Sequence, residues 1–79
     1  MKGNFRTPDF SKAELELRFE NGVVCIYGTQ EGLRKLGGLC RDLADHPGQG
    51  HIHLDRHEAS SVQLSAESQE GALAVFDRK

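Results

Sequence analysis

The clearest pattern in the chain is the alternation of apolar and polar side chains over residues 13–20, AELELRFE. A period of two is typical of a β-strand with one buried face. Asn21 and Gly22 follow, and this dipeptide favours a tight hairpin turn because both of its positions adopt positive φ. Residues 23–27, VVCIY, are rich in β-forming side chains. The pattern therefore predicts a β-hairpin.

The two-residue turn also predicts how the strands of this hairpin face each other, because loop length fixes the register. Leu17 is expected opposite Ile26, and Phe19 opposite Val24. These four apolar side chains then share one face, which we expect to pack against a helix. The other face is predicted to be open and to carry Glu16, Arg18, Glu20, Val23, Cys25 and Tyr27.

A helix is predicted after the second strand, because apolar side chains recur there at helical spacing. Thr29 is a suitable N-cap, since its hydroxyl can accept a hydrogen bond from the first turn. Pro47 ends the helix, because proline lacks the backbone N–H that continues it. The positions expected to face the sheet are Leu33, Leu36, Cys40 and Leu43.

The middle of this helix holds two glycines, Gly37 and Gly38. Each disfavours the helix by about 1 kcal/mol relative to alanine, which suggests that the helix approaches the sheet closely here. Cys40 is expected to pack as a small hydrophobic side chain. Cys25 is the only other cysteine, and two cysteines are too few for a disulfide framework. We therefore expect both thiols to be reduced.

Three short extended segments are predicted after the helix, at residues 51–55, 62–64 and 72–76. The order β-β-α-β-β-β indicates an α+β fold with two layers. We expect a mostly antiparallel, four- to five-stranded sheet with the helix packed on one face. A chain of 79 residues is expected to form a single domain. Residues 1–12 lack a clear period and are either a loose arm or an edge strand.

Ionisable side chains cluster in residues 50–58, GHIHLDRHE, which contain three of the four histidines. In a strand, His51 and His53 point the same way with Cα atoms about 6.5 Å apart, so their imidazoles could share one ion. A zinc site needs three or four protein ligands, however. A small zinc-binding domain is therefore the alternative. The simpler interpretation is an exposed strand face, with Ile52 and Leu54 turned towards the core.

Charge and composition narrow the classes of function. The net charge is −2 and the Lys and Arg residues are scattered, which argues against nucleic acid as a partner. No apolar run reaches the length of a membrane span. The first residues lack the apolar stretch of a secretory signal, so we expect a cytoplasmic protein. No nucleophile has a recognisable base and oxyanion donors, so we expect a non-enzymatic protein without a cofactor.

The predicted polar face therefore favours a surface that binds another protein. Tyrosine and arginine are frequent anchors in such interfaces. An ordinary solvated face is the competing interpretation, and a domain that dimerises through its strand edges is a further one, so the chain is expected to be a monomer or a homodimer. The candidate binding residues are Glu16, Arg18, Tyr27, His51, His53 and Asp55.

One segment also resembles a known family. Residues 50–55, Gly-His-Ile-His-Leu-Asp, together with the strand-like residues 62–65 and 72–76, resemble the immunity protein 32 family of bacterial polymorphic toxin systems. The resemblance covers about the last third of the chain. The last strand departs from it slightly, with Leu-Ala-Val where such sequences have Leu-Val-Ile. The resemblance implies a small cytoplasmic α+β protein that neutralises a toxin by binding it, without catalysis.

Overall fold

The computed structural model describes residues 8–56 and 60–76. The expected α+β class is confirmed, with one long helix and four strands in these ranges. The strands pair as two separate antiparallel sheets of two strands each, the β1–β2 hairpin and the β3–β4 sheet, rather than as one sheet of four or five strands. The elements are β1 (Leu15–Glu20), β2 (Val23–Gly28), α1 (Gln30–Asp45), a 3-10 turn (Pro47–Gln49), β3 (His51–Leu54) and β4 (Gly71–Ala74).

The first hairpin has the predicted turn and register. Asn21 and Gly22 have φ angles of 52° and 78°, as the two central positions of a type I′ turn require. Leu17 lies opposite Ile26, and Glu16 lies opposite Tyr27. The local turn chemistry and the alternation of side chains therefore determined this element together.

Helix α1 begins and ends where the sequence predicts. The Thr29 hydroxyl accepts a hydrogen bond from the backbone N–H of Gly32 at 2.9 Å, and the helix ends at Asp45, two residues before Pro47. The prediction for Cys40 is wrong, because its side chain is exposed. The helix does not bury that part of its surface, so the thiol lies in solvent.

The glycine that brings the helix close to the first hairpin is Gly32, not the pair in the middle of the helix. A Cβ at position 32 would lie 2.0 Å from the backbone oxygen of Glu14. At Gly37 and Gly38 a Cβ would meet nothing within 4 Å. The expectation of close approach at those two glycines is therefore wrong. The helix meets the hairpin through its first turn.

Residues 60–69, which we call the crossing segment, lie between β3 and β4 in the chain and pack against β1 of the first hairpin. The strand predicted over residues 62–64 is present only as a single parallel bridge between Leu15 and Leu64. Around it, Leu15 N–H donates to Gln63 O at 3.2 Å, and Ser65 N–H donates to Leu15 O at 3.0 Å. Of the predicted arm, residues 1–7 lie outside the described ranges, and residues 8–12 form no strand.

The buried core lies at the start of β1, away from the hairpin turn. Leu15, Val62 and Leu64 form its centre, with Leu17, Leu36 and Leu39 partly buried around them. At the turn end, the structure leaves three apolar side chains in solvent: Phe19 is 68% exposed, Val24 71% and Ile26 51%. The expectation that the helix buries these three side chains is wrong. Helix α1 packs beside the opposite end of the hairpin, where Leu33 approaches Gly28.

Candidate functional site

The two histidines of β3 lie where the alternation places them. His51 and His53 are exposed, Ile52 is partly buried and Leu54 is buried. The imidazole rings contact each other edge to face, with centroids 4.8 Å apart. The predicted division of β3 into an outer and an inner side is therefore confirmed.

Small side chains flank the imidazoles on the neighbouring strand. His51 lies opposite Ala74, and His53 lies opposite Ala72. Both alanines are exposed. Because these neighbours are small, the two imidazole rings are accessible to solvent and to a partner. Asp55 follows β3 and accepts a hydrogen bond from the Ser60 hydroxyl at 2.6 Å. Its described contact is therefore with the start of the crossing segment.

The described residues do not bring together a metal site. Within residues 8–56 and 60–76, no three side chains of His, Cys, Asp or Glu converge. His57, the third histidine of the motif, lies outside the described residues. His51 and His53 alone supply two of the three or four ligands that a zinc site in a protein normally has.

A charged network lies on the other face of the first hairpin. The Arg18 guanidinium donates to Glu16 through Nε and to Glu20 through Nη1, the latter at 3.1 Å. Its Cζ lies 4.6 Å from the centroid of the Tyr27 ring. The Tyr27 hydroxyl donates to Glu20 at 3.2 Å, and the Ser65 hydroxyl donates to Glu16. The network therefore joins both strands to the crossing segment.

Glu16 and Arg18 are buried, which corrects the expectation of an open polar face. Glu16 is 1% exposed and Arg18 6% exposed, because the crossing segment covers this part of the hairpin. Burial opposes the Arg18 charge, but hydrogen bonds to Glu16 and Glu20 outweigh it and raise the pKa of Arg18. Arg18 Nη2 is buried and has no hydrogen-bond partner among the described residues. Glu16 and Arg18 thus lie inside the fold beside Tyr27 and do not form an open surface.

The pKa of Tyr27 is raised above its ordinary value. Burial is the main cause, and the hydrogen bond and negative charge of Glu20 act in the same direction. The Arg18 charge opposes this rise, since a nearby cation favours phenolate. Tyr27 therefore stays protonated and able to donate a hydrogen bond over a wide pH range.

Ser68 and Arg56 fasten the crossing segment, and the sequence pattern identified neither. The Ser68 hydroxyl accepts from Leu17 N–H at 2.8 Å, and Gln69 N–H donates to Leu17 O at 2.8 Å. The Arg56 guanidinium donates to the carbonyl oxygens of Ala66, at 3.2 Å, and of Ser68. A polar stretch without a period gives no sign of such contacts, which depend on the tertiary fold.

An open apolar groove lies between the β1–β2 hairpin and the β3–β4 sheet and has a volume of about 280 Å³. It contains most of the apolar set that the sequence assigned to the core, but the groove is open to solvent. Its walls include Leu17, Phe19, Val24, Ile26, Leu54 and Leu73. The hydrophobic pattern predicted that Leu17, Phe19, Val24, Ile26 and Leu54 face the core, but it could not show that this side stays uncovered. It assigned no face to Leu73.

The six candidate binding residues thus form two groups. Glu16, Arg18 and Tyr27 lie on the first hairpin, and His51 and His53 lie on β3 of the β3–β4 sheet, followed by Asp55. Both cysteines are free, as expected. In the described part of the chain, no helix has the length and apolar character needed to cross a membrane.

Comparison with known protein families gives one match. The model of the family described as Immunity protein 32 matches residues 23–79, which is most of the chain. The match begins at the first residue of β2 and includes the histidine strand and the crossing segment. No curated protein matches the chain. No solved structure matches it either.

Proposed function

Because the chain belongs to the immunity protein 32 family, we propose that it is an immunity protein that neutralises a bacterial toxin by binding it. It acts in the cytoplasm, where the toxin would otherwise reach its target. Binding covers the toxin's active site or the route to it, and needs neither a metal ion nor catalysis. The family match is the observation that carries this proposal.

The exposed features of the fold support binding as the mode of action. His51 and His53 form an accessible pair beside two alanines. Tyr27 is held by Arg18 and Glu20 and offers an aromatic surface, and such side chains are common anchors in interfaces. We propose that Tyr27, His51, His53 and Asp55 contact the toxin. In this proposal, Glu16 and Arg18 do not contact the toxin themselves but keep Tyr27 in position.

The decisive experiment tests candidate toxin domains encoded by genes that neighbour the gene for this chain, one at a time. Bacteria that produce the toxin domain alone are expected to stop growing, and co-production of this protein is expected to restore growth. The purified protein and toxin domain should form a stable complex in isothermal titration calorimetry. The proposal is refuted if no candidate toxin domain binds this protein and the toxicity of each is unchanged when this protein is co-produced.

Two variants then test the surface. We expect His51→Ser combined with His53→Ser to weaken toxin binding, because both imidazoles lie on the proposed contact surface. His46→Ser is the matched control, because His46 is also exposed but lies at the end of α1. If both variants bind the toxin as tightly as the wild-type protein, the histidine pair is not part of the interface.

A further inference from the structure

The groove is bordered by a strand edge of the first hairpin that lacks a described partner near the turn. In an antiparallel pair, backbone groups point alternately towards and away from the partner strand. The Glu20–Val23 pair closes the two-residue turn, so the N–H and C=O groups of Leu15, Leu17 and Phe19 point away from β2. The crossing segment binds those of Leu15 and Leu17. Those of Phe19 have no hydrogen-bond partner among the described residues.

A second free edge belongs to β4, which also lines the groove. Val75 N–H donates to Gly50 O at 3.1 Å, and these residues lie opposite each other in the register that continues from β3 and β4. By the same alternation, the backbone groups of Ala72 point away from β3. In the described part of the chain, β4 pairs with β3 alone. Residues 69–73 line the groove, so backbone hydrogen-bonding groups and apolar side chains occur there together.

Two charged residues line the groove, Arg18 and Glu70. Arg18 is buried and bonded to Glu16 and Glu20, so the exposed charge is that of Glu70. Glu70 lines the groove, and its side chain is 58% exposed. The Glu70 carboxylate accepts a long hydrogen bond from the backbone N–H of Arg56 at 3.4 Å, and Arg56 Nη1 lies 3.9 Å from it. An exposed pair at this distance is weak, so Glu70 remains available to a cation of a partner. Phe19, Val24 and Ile26, each more than half exposed, form the apolar surface beside it.

We propose that the groove receives an extended β-strand of the partner protein. Apolar side chains on one face of that strand contact Phe19 and Ile26. Its backbone forms hydrogen bonds with the free edges at Phe19 and Ala72. A Lys or Arg at one end of the strand lies near Glu70. Adding a strand to an exposed edge is an established mode of peptide recognition. This inference rests on the proposed function, since the toxin is the partner that would supply the strand.

A synthetic peptide tests this recognition without the toxin. The peptide alternates valine and threonine between two terminal lysines, and it is titrated into the isotopically labelled full chain in NMR spectra. We expect saturable shifts of the backbone amides of Phe19 and Ala72. A peptide N-methylated at every residue between the two lysines keeps the side chains but loses the backbone donors on both of its edges, and we expect it to cause no saturable shift.

Matched variants locate the site. Phe19→Ser should weaken peptide binding about tenfold, because an apolar contact is lost. Phe76→Ser is the control, because Phe76 is 88% exposed and is not among the residues that line the groove. Glu70→Gln should weaken binding about two- to fivefold, and the effect should disappear at high salt.

Three results would overturn the inference: no saturable shift at Phe19 and Ala72, equal binding of the N-methylated peptide, or equal affinity of Phe19→Ser and the wild-type protein. Self-association that Phe19→Ser abolishes in analytical ultracentrifugation would also overturn it, because a second copy would then occupy the groove. The toxin experiment remains independent. If the protein binds the toxin but not the peptide, the groove inference fails and the proposed function stands. If it binds the peptide but not the toxin, the proposed function fails and strand recognition by the groove stands.

Discussion

The Arg18 guanidinium lies over the ring of Tyr27, with Cζ 4.6 Å from the ring centroid. Both side chains also bind Glu20, so the three residues form a closed set of contacts across the first hairpin. A cation over an aromatic face is attracted by the negative charge of the ring surface. This arrangement fixes the orientation of the only tyrosine in the chain.

The first prediction concerns the titration of Tyr27. Its pKa should lie above 10.0, because burial and Glu20 disfavour the phenolate. Glu20→Gln should move the pKa back towards 10.0. The ultraviolet absorbance of phenolate reports Tyr27 alone, since the chain has one tyrosine and no tryptophan.

The matching control is the wild-type chain in concentrated guanidinium chloride, where the titration should be that of free tyrosine. Because the pKa is higher in the folded state, this contribution to stability is fully present below the unfolded value near 10. It is lost as the pH rises through the folded value. An unchanged pKa in Glu20→Gln would contradict the hydrogen bond between Tyr27 and Glu20.

The second prediction contrasts two glycines of helix α1. Gly32→Ala should lower the free energy of unfolding by about 1–3 kcal/mol, because its Cβ would collide with the backbone oxygen of Glu14. Gly37→Ala should raise it by about 0.5–1 kcal/mol, because the space there is open and alanine favours a helix. Urea denaturation measures both. Equal effects at the two positions would refute the described approach of helix to hairpin.

The third prediction concerns Ser68, whose hydroxyl accepts a hydrogen bond from the buried edge of β1. Ser68→Ala should lower the free energy of unfolding by about 1–3 kcal/mol, since it leaves Leu17 N–H without that acceptor. Ser61→Ala is the control, because Ser61 is exposed, and its effect should stay within about 0.5 kcal/mol. If Ser68→Ala is as stable as the control, Ser68 does not fasten the crossing segment.

The fourth prediction separates binding from folding at the histidine pair. Replacing His51 and His53 together with serine should change the free energy of unfolding by no more than about 0.5 kcal/mol, because both side chains are exposed. Added zinc should leave the melting temperature of the wild-type protein unchanged, since a true site would raise it through ligand linkage. A zinc-dependent rise that the double variant loses would favour the metal-binding alternative.

The sequence predicted the parts of the fold that local chemistry determines. Asn21 and Gly22 fixed the register of the first hairpin, and Thr29 and Pro47 fixed the limits of the helix. The alternation around His51 and His53 correctly separated the outer from the inner side of β3. The short segment beginning at Gly50 also carried the resemblance to the family that the family model then matched.

The sequence failed where burial depends on distant parts of the chain. Alternation places Phe19 and Arg18 on opposite faces, but it cannot show which face a later segment will cover. The crossing segment covers Arg18, while Phe19 remains 68% exposed. Likewise, the close approach at Gly32 depends on the backbone of Glu14, which no helical pattern reveals. Both errors concern contacts that later parts of the chain make with residues 14–18.

The bond between Leu17 and Ser68 spans 51 positions, and this separation has a consequence for synthesis on the ribosome. The first hairpin emerges early, but an isolated hairpin is marginally stable in water. Its apolar side chains lack their long-range contacts until the residues through Ser68 have been made, and contacts of this kind form slowly. Newly made chains therefore pass through an interval in which they can aggregate or recruit chaperones.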